Sequence, residues 1–187
     1  MDHPADPGGR TNKGVTQAVY DRWRASQGLV PRHVRLIEDA EVNAIYQTGY
    51  WTPPRCDLLR RQLDLVQFDT AVNMGVGRAV RFLQAAVGCQ VDGAFGPSTT
   101  KGAAECDLWT ALRAYCDARE AYYRRLAERR PELAVFLRGW LNRLNALRAE
   151  VGLPGFEAAA PLDFGDTGFI ARIPDVGVDS SYDIEEP

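Results

Sequence analysis

The sequence predicts a mainly α-helical fold, and two observations carry that prediction. Between residues 16 and 151, apolar side chains recur every three or four positions, which is the spacing of one helix face. Alternating runs of Val, Ile and Thr, which would indicate β-strands, do not occur in the sequence. Since an apolar helix face has to be buried against another element, we expect helices packed on helices.

The first half of the chain predicts a polar loop followed by three helices. The loop covers residues 2–14, where proline and glycine are frequent. Thr16 is a suitable N-cap for a first helix that ends at Gly28, and Asp39 is a suitable cap for the second helix. The stretch YWTPPRCD at residues 50–57 predicts a turn, and a third helix is expected over residues 58–73.

The second half predicts four more helices. Gly75 and Gly77 are expected to break the third helix, and Gly88 is expected to terminate the fourth. Pro97 fits the first turn of a short helix, where its missing N–H has no cost. A long amphipathic helix is expected over residues 105–130, Pro131 interrupts it, and a last helix runs to residue 151.

The composition is typical of a soluble globular protein, with 45% hydrophobic and 25% charged residues. Charged residues interrupt every long apolar stretch, so we expect no stable membrane insertion. A basic segment followed by an apolar one, the pattern of a secretory signal, is not visible at the start of the sequence. We therefore expect a protein that is made in the cytoplasm and that another system releases if it acts outside.

The four cysteines do not predict a metal site. Cys56, Cys89, Cys106 and Cys116 include no CxxC pair, and neither histidine stands at ligand spacing from them. Cys106 and Cys116 fall in a stretch predicted to be helical, where we expect small buried apolar residues.

Charge is distributed unevenly along the chain. The whole sequence carries a net charge of −3, yet residues 153–187 hold eight acids and a single base, Arg172, for a net charge of −7. Residues 1–152 therefore carry +4. A basic body favours an anionic partner such as a cell wall, a membrane surface or nucleic acid, with a solvated surface as the alternative. The acidic tail is predicted to be disordered or loosely packed.

Several motifs together resemble the glycoside hydrolase family 108 lysozymes, which include phage endolysins and proteins labelled secretion activators. The first is HPADPGGRTNKGVT at residues 3–16, and the second is FDTAVNMGVGRAVRFLQ at residues 68–84, with Tyr46, Tyr50 and Trp51 between them. Further along, DGAFGPST at 92–99, AREAYYRRL at 118–126 and FLRGWLNRL at 136–144 resemble the predicted peptidoglycan-binding domain that usually follows. The resemblance covers residues 2–150.

The resemblance implies a lysozyme-like helical domain over residues 1–87 and a small, packed, helical peptidoglycan-binding domain over residues 88–152, followed by the acidic tail at 153–187. It also implies cleavage of the peptidoglycan glycan strand between N-acetylmuramic acid and N-acetylglucosamine, by general acid catalysis. Neither a cofactor nor a metal is expected. The implied partner is the glycan strand, reached at the cell wall or periplasm after release by a holin or a secretion system.

The family's catalytic acid is the Glu of an EGGY/F motif a few residues before the DPGG loop, a position that falls upstream of Met1 here. We therefore assign no catalytic residue within residues 1–187, and we expect either an N-terminal truncation or a misassigned start site. General acid catalysis contributes about 10²–10⁴-fold to a rate, so the chain as written is expected to lose activity without that Glu. Glu38 and Glu41 are poor replacements, because acids at a helix start serve the helix dipole.

The resemblance and the residue chemistry together select seven candidates for substrate binding: Asp6, Thr11, Asn12, Thr16, Tyr50, Asp69 and Asn73. The first four belong to the N-terminal motif. Asp6 either assists the attacking water or accepts backbone N–H bonds in the loop. Thr11 and Asn12 either bond to sugar groups or cap turns, and Thr16 either orients water or caps a helix.

The other candidates also carry two interpretations each. Tyr50, with Trp51, either stacks on a pyranose ring or packs in the core. Asp69 and Asn73 lie four residues apart on one helix face and either line a cleft or form a buried polar network.

A further set of aromatic and basic residues lies in the C-terminal half. These residues form either a carbohydrate-binding surface or part of the core: Arg119, Tyr122, Tyr123, Trp140 and Arg143.

Two functions follow as hypotheses. The first is a peptidoglycan muramidase, and the alternative is a non-catalytic wall-binding or secretion-accessory protein. A nucleic-acid partner is not expected, because only the basic helix face would support it.

Overall fold

Helices dominate the computed structural model, which describes residues 11–156. Seven α-helices and one two-stranded sheet form from these described residues, so the mainly helical prediction is confirmed. The described residues divide into two compact units, 11–45 and 46–156. The predicted domain boundaries at 87–88 and 152–153 stay a prediction. Asp6, the DPGG loop and residues 157–187 of the acidic tail lie outside the described residues.

A short hairpin opens the first unit. Strand β1 (Thr11–Asn12) pairs antiparallel with β2 (Val15–Thr16), and Thr11 lies opposite Thr16. The two connecting residues, Lys13 and Gly14, have φ values of +50° and +78°. Two consecutive positive φ angles are the geometry of the type I′ hairpin turn, which accounts for glycine at the second position. Strands of two residues are too short to show alternation, so the sequence predicted only a loop here.

Two helices complete the first unit. Helix α1 (Gln17–Ser26) begins after Thr16, whose hydroxyl accepts the Val19 N–H at 3.3 Å, so the predicted N-cap is confirmed. Gly28, with φ of +67°, follows the end of that helix. Helix α2 covers Asp39–Tyr46, so Asp39 is its first residue rather than its cap.

The second unit starts with irregular helical turns. A π-helical segment covers Gln47–Trp51, and the Thr52 N–H donates to the Gln47 carbonyl at 2.9 Å, the wide spacing of a π-turn. The predicted turn therefore begins inside a helical segment. Helix α3 (Leu63–Met74) starts five residues later than predicted, because Gln62 has φ of +78° and cannot belong to a right-handed helix.

Four helices follow α3. Helix α4 (Val76–Ala86) begins directly after Gly75, whose φ is +86°, and it contains Gly77, so Gly75 alone separates the two helices. Helices α5 (Pro97–Glu105), α6 (Leu108–Arg129) and α7 (Ala134–Glu150) complete the order.

The long helix predicted over 105–130 was wrong at its start. Glu105 ends α5, and the carboxylate of Asp107 accepts the Thr110 N–H at 2.9 Å and so begins α6 anew. Cys106 consequently lies between two helices and is half-buried, not buried within a helix as expected.

The core of the second unit forms where α3 packs on α4 and α6, and where α4 and α7 pack on α6. Its large, fully buried side chains include Leu63, Phe82, Leu83, Leu112, Tyr115 and Leu144. The Tyr115 hydroxyl lies 2.8 Å from Gln67 Oε1 and 3.0 Å from the Ala79 carbonyl oxygen, and it donates its one proton to either. These contacts fix three helices around one buried polar point.

Candidate functional site

The hairpin candidates of the N-terminal motif are held by contacts within the first unit. Asn12 is half-buried, and its amide donates to the carbonyl oxygens of Val34 and Arg35, both at 3.2 Å. Asn12 therefore ties the hairpin to the 3₁₀ turn at Val34–Leu36. Thr11 is exposed beside it. These contacts describe an anchoring role for Asn12, and sugar contacts by Thr11, Asn12 and Thr16 stay predictions.

A partly buried ionic cluster centres on Glu41 in α2, which the sequence treated only as a helix-start acid. The Glu41 side chain is 13% exposed, and its Oε1 accepts from Arg24 at 2.8 Å. Its Oε2 accepts a hydrogen bond from Arg32 and a second, at 2.7 Å, from the hydroxyl of Tyr20. Tyr20 is fully buried. The backbone N–H of Glu38 adds a further bond at 3.0 Å, as in a capping box.

This environment keeps Glu41 ionised. Burial alone would raise the pKa of Glu41, but the hydrogen bonds from the Glu38 backbone and the Tyr20 hydroxyl, with the charge of Arg32, together lower the pKa. A general acid for glycoside cleavage needs the opposite, a raised pKa that keeps its proton near neutral pH. Glu38 is itself 69% exposed and paired with Arg32 at 3.0 Å. Neither residue has the apolar surroundings that a catalytic acid requires.

An aromatic cluster surrounds the π-helical segment in the second unit. It consists of Tyr46, Tyr50, Trp51 and Phe68, and all four side chains are half-buried. Tyr46 lies 6.0 Å from Tyr50 and 6.1 Å from Phe68, and Trp51 lies 5.5 Å from Phe68, measured between ring centroids. Phe68 was not among the predicted site residues, although this residue opens the FDTAVN motif. Half-buried aromatic rings are of the residue type that can stack on the C–H side of a sugar ring.

Asp69 in α3 lies at the centre of an ion network. Its Oδ1 accepts from Arg119 Nη1 at 2.7 Å, and its Oδ2 accepts from Arg143 Nη2 at 2.6 Å and Nε at 3.0 Å. The buried side chain of Asn73 donates to the Asp69 backbone carbonyl at 2.6 Å. These contacts match the buried-network interpretation, and sugar contacts by Asp69 and Asn73 stay predictions.

The C-terminal aromatic and basic residues contribute mainly to the core. Arg119, Tyr123 and Trp140 are buried, and the rings of Tyr123 and Trp140 stack with centroids 5.4 Å apart. Tyr122 is half-buried, with the guanidinium carbon of Arg78 at 4.7 Å from its ring centroid. Arg119, Tyr123 and Trp140 are therefore part of the core and do not form a carbohydrate-binding surface.

Gln84, which was not among the predicted site residues, shapes the DGAFG turn. The buried amide of Gln84 donates to Asp92 Oδ1 at 2.7 Å and to the Ala94 carbonyl at 3.0 Å, and its oxygen accepts the Gly93 N–H at 2.8 Å. Gly93 has φ of +80°, a left-handed backbone conformation that favours glycine. These contacts give the turn a role in shaping the fold.

Within residues 11–156, no group of three or more His, Cys, Asp or Glu side chains is arranged to hold a metal ion. None of the helices in that part of the chain combines the length and apolar character needed to cross a membrane.

The mainly helical architecture, with a single two-stranded sheet among the described residues, is that of a lysozyme-like helical fold. The family model described as glycosyl hydrolase 108 matches residues 1–75, and that described as a predicted peptidoglycan domain matches residues 78–145. The solved structure of Brucella abortus SagA is similar, with 30% sequence identity and a TM-score of 0.69 over 81% of this chain and 84% of that one. A comparison with curated proteins found no match.

The chain belongs to the glycosyl hydrolase 108 family, and it carries the peptidoglycan domain match directly after the hydrolase match. Together these findings support a peptidoglycan-related function, with peptidoglycan as the partner.

Proposed function

We propose that this protein is an N-acetylmuramidase that cleaves the glycan strand of peptidoglycan at the cell wall. The proposal rests on the order of the two family matches along the chain, with a glycosyl hydrolase over residues 1–75 and a peptidoglycan domain over residues 78–145. A hydrolase region beside a wall-binding region is the arrangement expected of an enzyme that acts on an insoluble polymer, since binding keeps the hydrolase near its substrate.

We propose that the proton donor is a Glu of the EGGY/F type that the family carries, and that neither Glu41 nor Asp69 takes this role. Glu41 is held ionised by its arginine and tyrosine partners, and both oxygens of Asp69 are occupied by guanidinium groups. These pairings support assigning the acid elsewhere, because protonation of the leaving oxygen needs a carboxylic acid with its proton in place.

We propose that the aromatic cluster supplies a sugar-binding surface for this reaction. Tyr50 is half-buried beside Tyr46, so part of its ring can contact ligand while the rest is supported. Binding of a glycan through ring faces would fix the strand without any metal, since stacking needs only apolar surface and the exclusion of water.

A zymogram on purified peptidoglycan tests the proposed activity. The chain as given is compared with a chain extended upstream by its in-frame codons, and with the extended chain in which the motif Glu is replaced by Gln. Clearing by the extended chain alone supports the proposal. If the Gln variant clears as well, the assignment of the acid is wrong, and if no form clears, the proposed hydrolysis is wrong.

A second function is favoured by the arginine pairing of Glu41 and Asp69. If these two partly buried carboxylates serve structure, the protein could bind the wall without cutting it. Sedimentation with purified sacculi distinguishes this function: binding by both forms, with no clearing by either, identifies a non-catalytic wall-binding or secretion-accessory protein.

We also propose release through a holin or a secretion system. Deleting the host's holin or secretion-system genes one at a time should, for the gene responsible, trap the protein in the cytoplasmic fraction, as measured by immunoblotting. Unchanged appearance outside the cytoplasm would contradict this route.

A further inference from the structure

One cluster of charged side chains in the second unit carries a net positive charge. Asp69 is 12% exposed and shares its two oxygens between Arg119, which is fully buried, and Arg143, which is 32% exposed. Two guanidinium groups and one carboxylate leave one positive charge in excess. We refer to Asp69, Arg119 and Arg143 as the arginine pair site.

The remaining polar neighbours do not cancel that charge. The Tyr123 hydroxyl accepts from Arg119 Nε at 3.0 Å, and burial raises the pKa of Tyr123, so the hydroxyl stays neutral. Thr70 accepts from Arg119 Nη1 at 3.1 Å and is also neutral. Burial would lower the pKa of Arg119, but Tyr123 and Asp69 raise it, so Arg119 stays charged.

The adjacent ion pairs on α6 and α7 are already balanced. Arg124 pairs with Glu120 at 2.7 Å, and Arg148 pairs with Asp117 at 2.6 Å. Each contributes no net charge to the site. The excess therefore belongs to the arginine pair site itself.

The site also lacks one hydrogen-bond acceptor. Among the described residues, Arg119 Nη2 is buried and has no hydrogen-bond partner. A buried donor of this kind costs free energy, and because Arg119 is fully buried, a ligand can offset the excess charge of the site only through Arg143. Within residues 11–156, the contacts of Arg143 with Asp69 use Nε and Nη2, which leaves Nη1 for another group.

We propose that Arg143 binds a carboxylate of the peptidoglycan stem peptide, with Asp69 and Arg119 as positioning residues. The inference rests on the proposed function and specifies which part of the polymer the region matched as a peptidoglycan domain contacts. Guanidinium binds carboxylate with charge-assisted hydrogen bonds in a fixed geometry. Asp69 fixes the orientation of the guanidinium, so little side-chain entropy is lost when the ligand binds.

Titration calorimetry of the full chain tests the proposal with two soluble probes. These are N-acetylmuramyl-L-alanyl-D-glutamate and its fully amidated counterpart, which differ in charge but little in shape. We expect wild type to bind the acid about ten-fold more tightly than the amide, the scale of one charge-assisted hydrogen bond. Equal affinities would overturn the proposal, whatever any variant does.

Variants then assign the effect to the residue. Arg143→Gln should remove the preference for the acid, Arg143→Lys should keep part of it, and Arg113→Gln, an exposed charge-loss control on α6, should keep all of it. Circular dichroism checks that each variant is folded. Loss of the preference in Arg113→Gln would show a diffuse charge effect and overturn the assignment to Arg143.

Two further measurements separate the possible failures. N-acetylmuramic acid carries the sugar's own lactyl carboxylate, so tighter binding of this probe than of the muramyl peptide would overturn the stem-peptide assignment. Sacculus binding by wild type without acid preference would overturn this inference and leave the proposed function standing. Absence of both binding and clearing would overturn the proposed function first.

Discussion

At the scale of single residues, substitution of Tyr50 tests whether the aromatic cluster binds sugar. Tyr50→Ala should weaken binding of chitotetraose about ten-fold, because it removes the ring face on which a sugar would stack. Tyr50→Phe keeps the ring and should bind within about two-fold of wild type. Isothermal calorimetry measures both. If the two variants lose affinity equally, the hydroxyl rather than the ring face makes the contact.

Glu41 is expected to matter for stability and not for proton donation. Glu41→Gln removes the counter-charge of Arg24 and Arg32, and it should lower the free energy of unfolding at pH 7 by about 2 kcal/mol. Urea unfolding measures the change. The exposed Glu38→Gln serves as the control and should change stability by less than about 0.5 kcal/mol.

The same pair of proteins gives a pH dependence with a defined sign. The pKa of Glu41 is lowered in the folded state. Its contribution to stability is therefore complete above the unfolded-state pKa of about 4.3 and is lost as the pH falls through the lower folded-state pKa. The difference between wild type and Glu41→Gln should therefore shrink below about pH 4. A difference that grows on acidification would mean that Glu41 is protonated in the folded state.

At the scale of elements, Gly75 is the single break between α3 and α4. Gly75→Ala places a side chain at φ of +86° and should lower the free energy of unfolding by about 1–2 kcal/mol, although nothing lies within 4 Å of the new Cβ. Gly77→Ala lies inside α4, with Arg81 Nη1 at 3.4 Å, and should raise stability by about 0.5–1 kcal/mol. Thermal unfolding of both variants checks the contrast. Equal effects would show that Gly77 also interrupts the helix.

Elements set by local chemistry could be predicted from the sequence. Thr16 was identified as an N-cap and Gly28 as the residue that ends α1, because capping depends on residues within one turn. The start of α6 was missed even though Asp107 caps it locally, because the apolar spacing continues across the break. Local patterns thus locate helices better than they locate their ends.

The candidate site was less predictable because its contacts are distant in sequence. Asp69 and Arg143 are 74 residues apart, and nothing in either segment identifies the partner. Asp69 and Asn73 were correctly placed on one helix. The partners of Asp69 come from α6 and α7, whereas Asn73 bonds to the backbone of α3 itself. Periodicity predicts which face a residue occupies, but only packing decides what that face meets.

At the scale of the whole molecule, the two family matches share one compact unit. Residues 46–156 include the end of the hydrolase match and all of the peptidoglycan match. Asp69 and Gln67 lie in the first match, whereas their partners Arg119 and Tyr115 lie in the second. The two matched regions therefore depend on each other for buried hydrogen bonds, which is unlike two domains joined by a linker.

A fragment of residues 78–156 tests that dependence. Without α3, the fully buried Arg119 loses its carboxylate, and the buried Tyr115 hydroxyl loses Gln67. An unpaired buried charge costs about 3–5 kcal/mol, a large share of the 5–15 kcal/mol that stabilises a typical domain. The fragment should therefore lack a cooperative thermal transition and near-ultraviolet circular dichroism, whereas residues 46–156 should show both. A fragment 78–156 that melts cooperatively at the midpoint of the longer one would show that the peptidoglycan region folds without α3, and that Asp69 stabilises binding geometry rather than the fold.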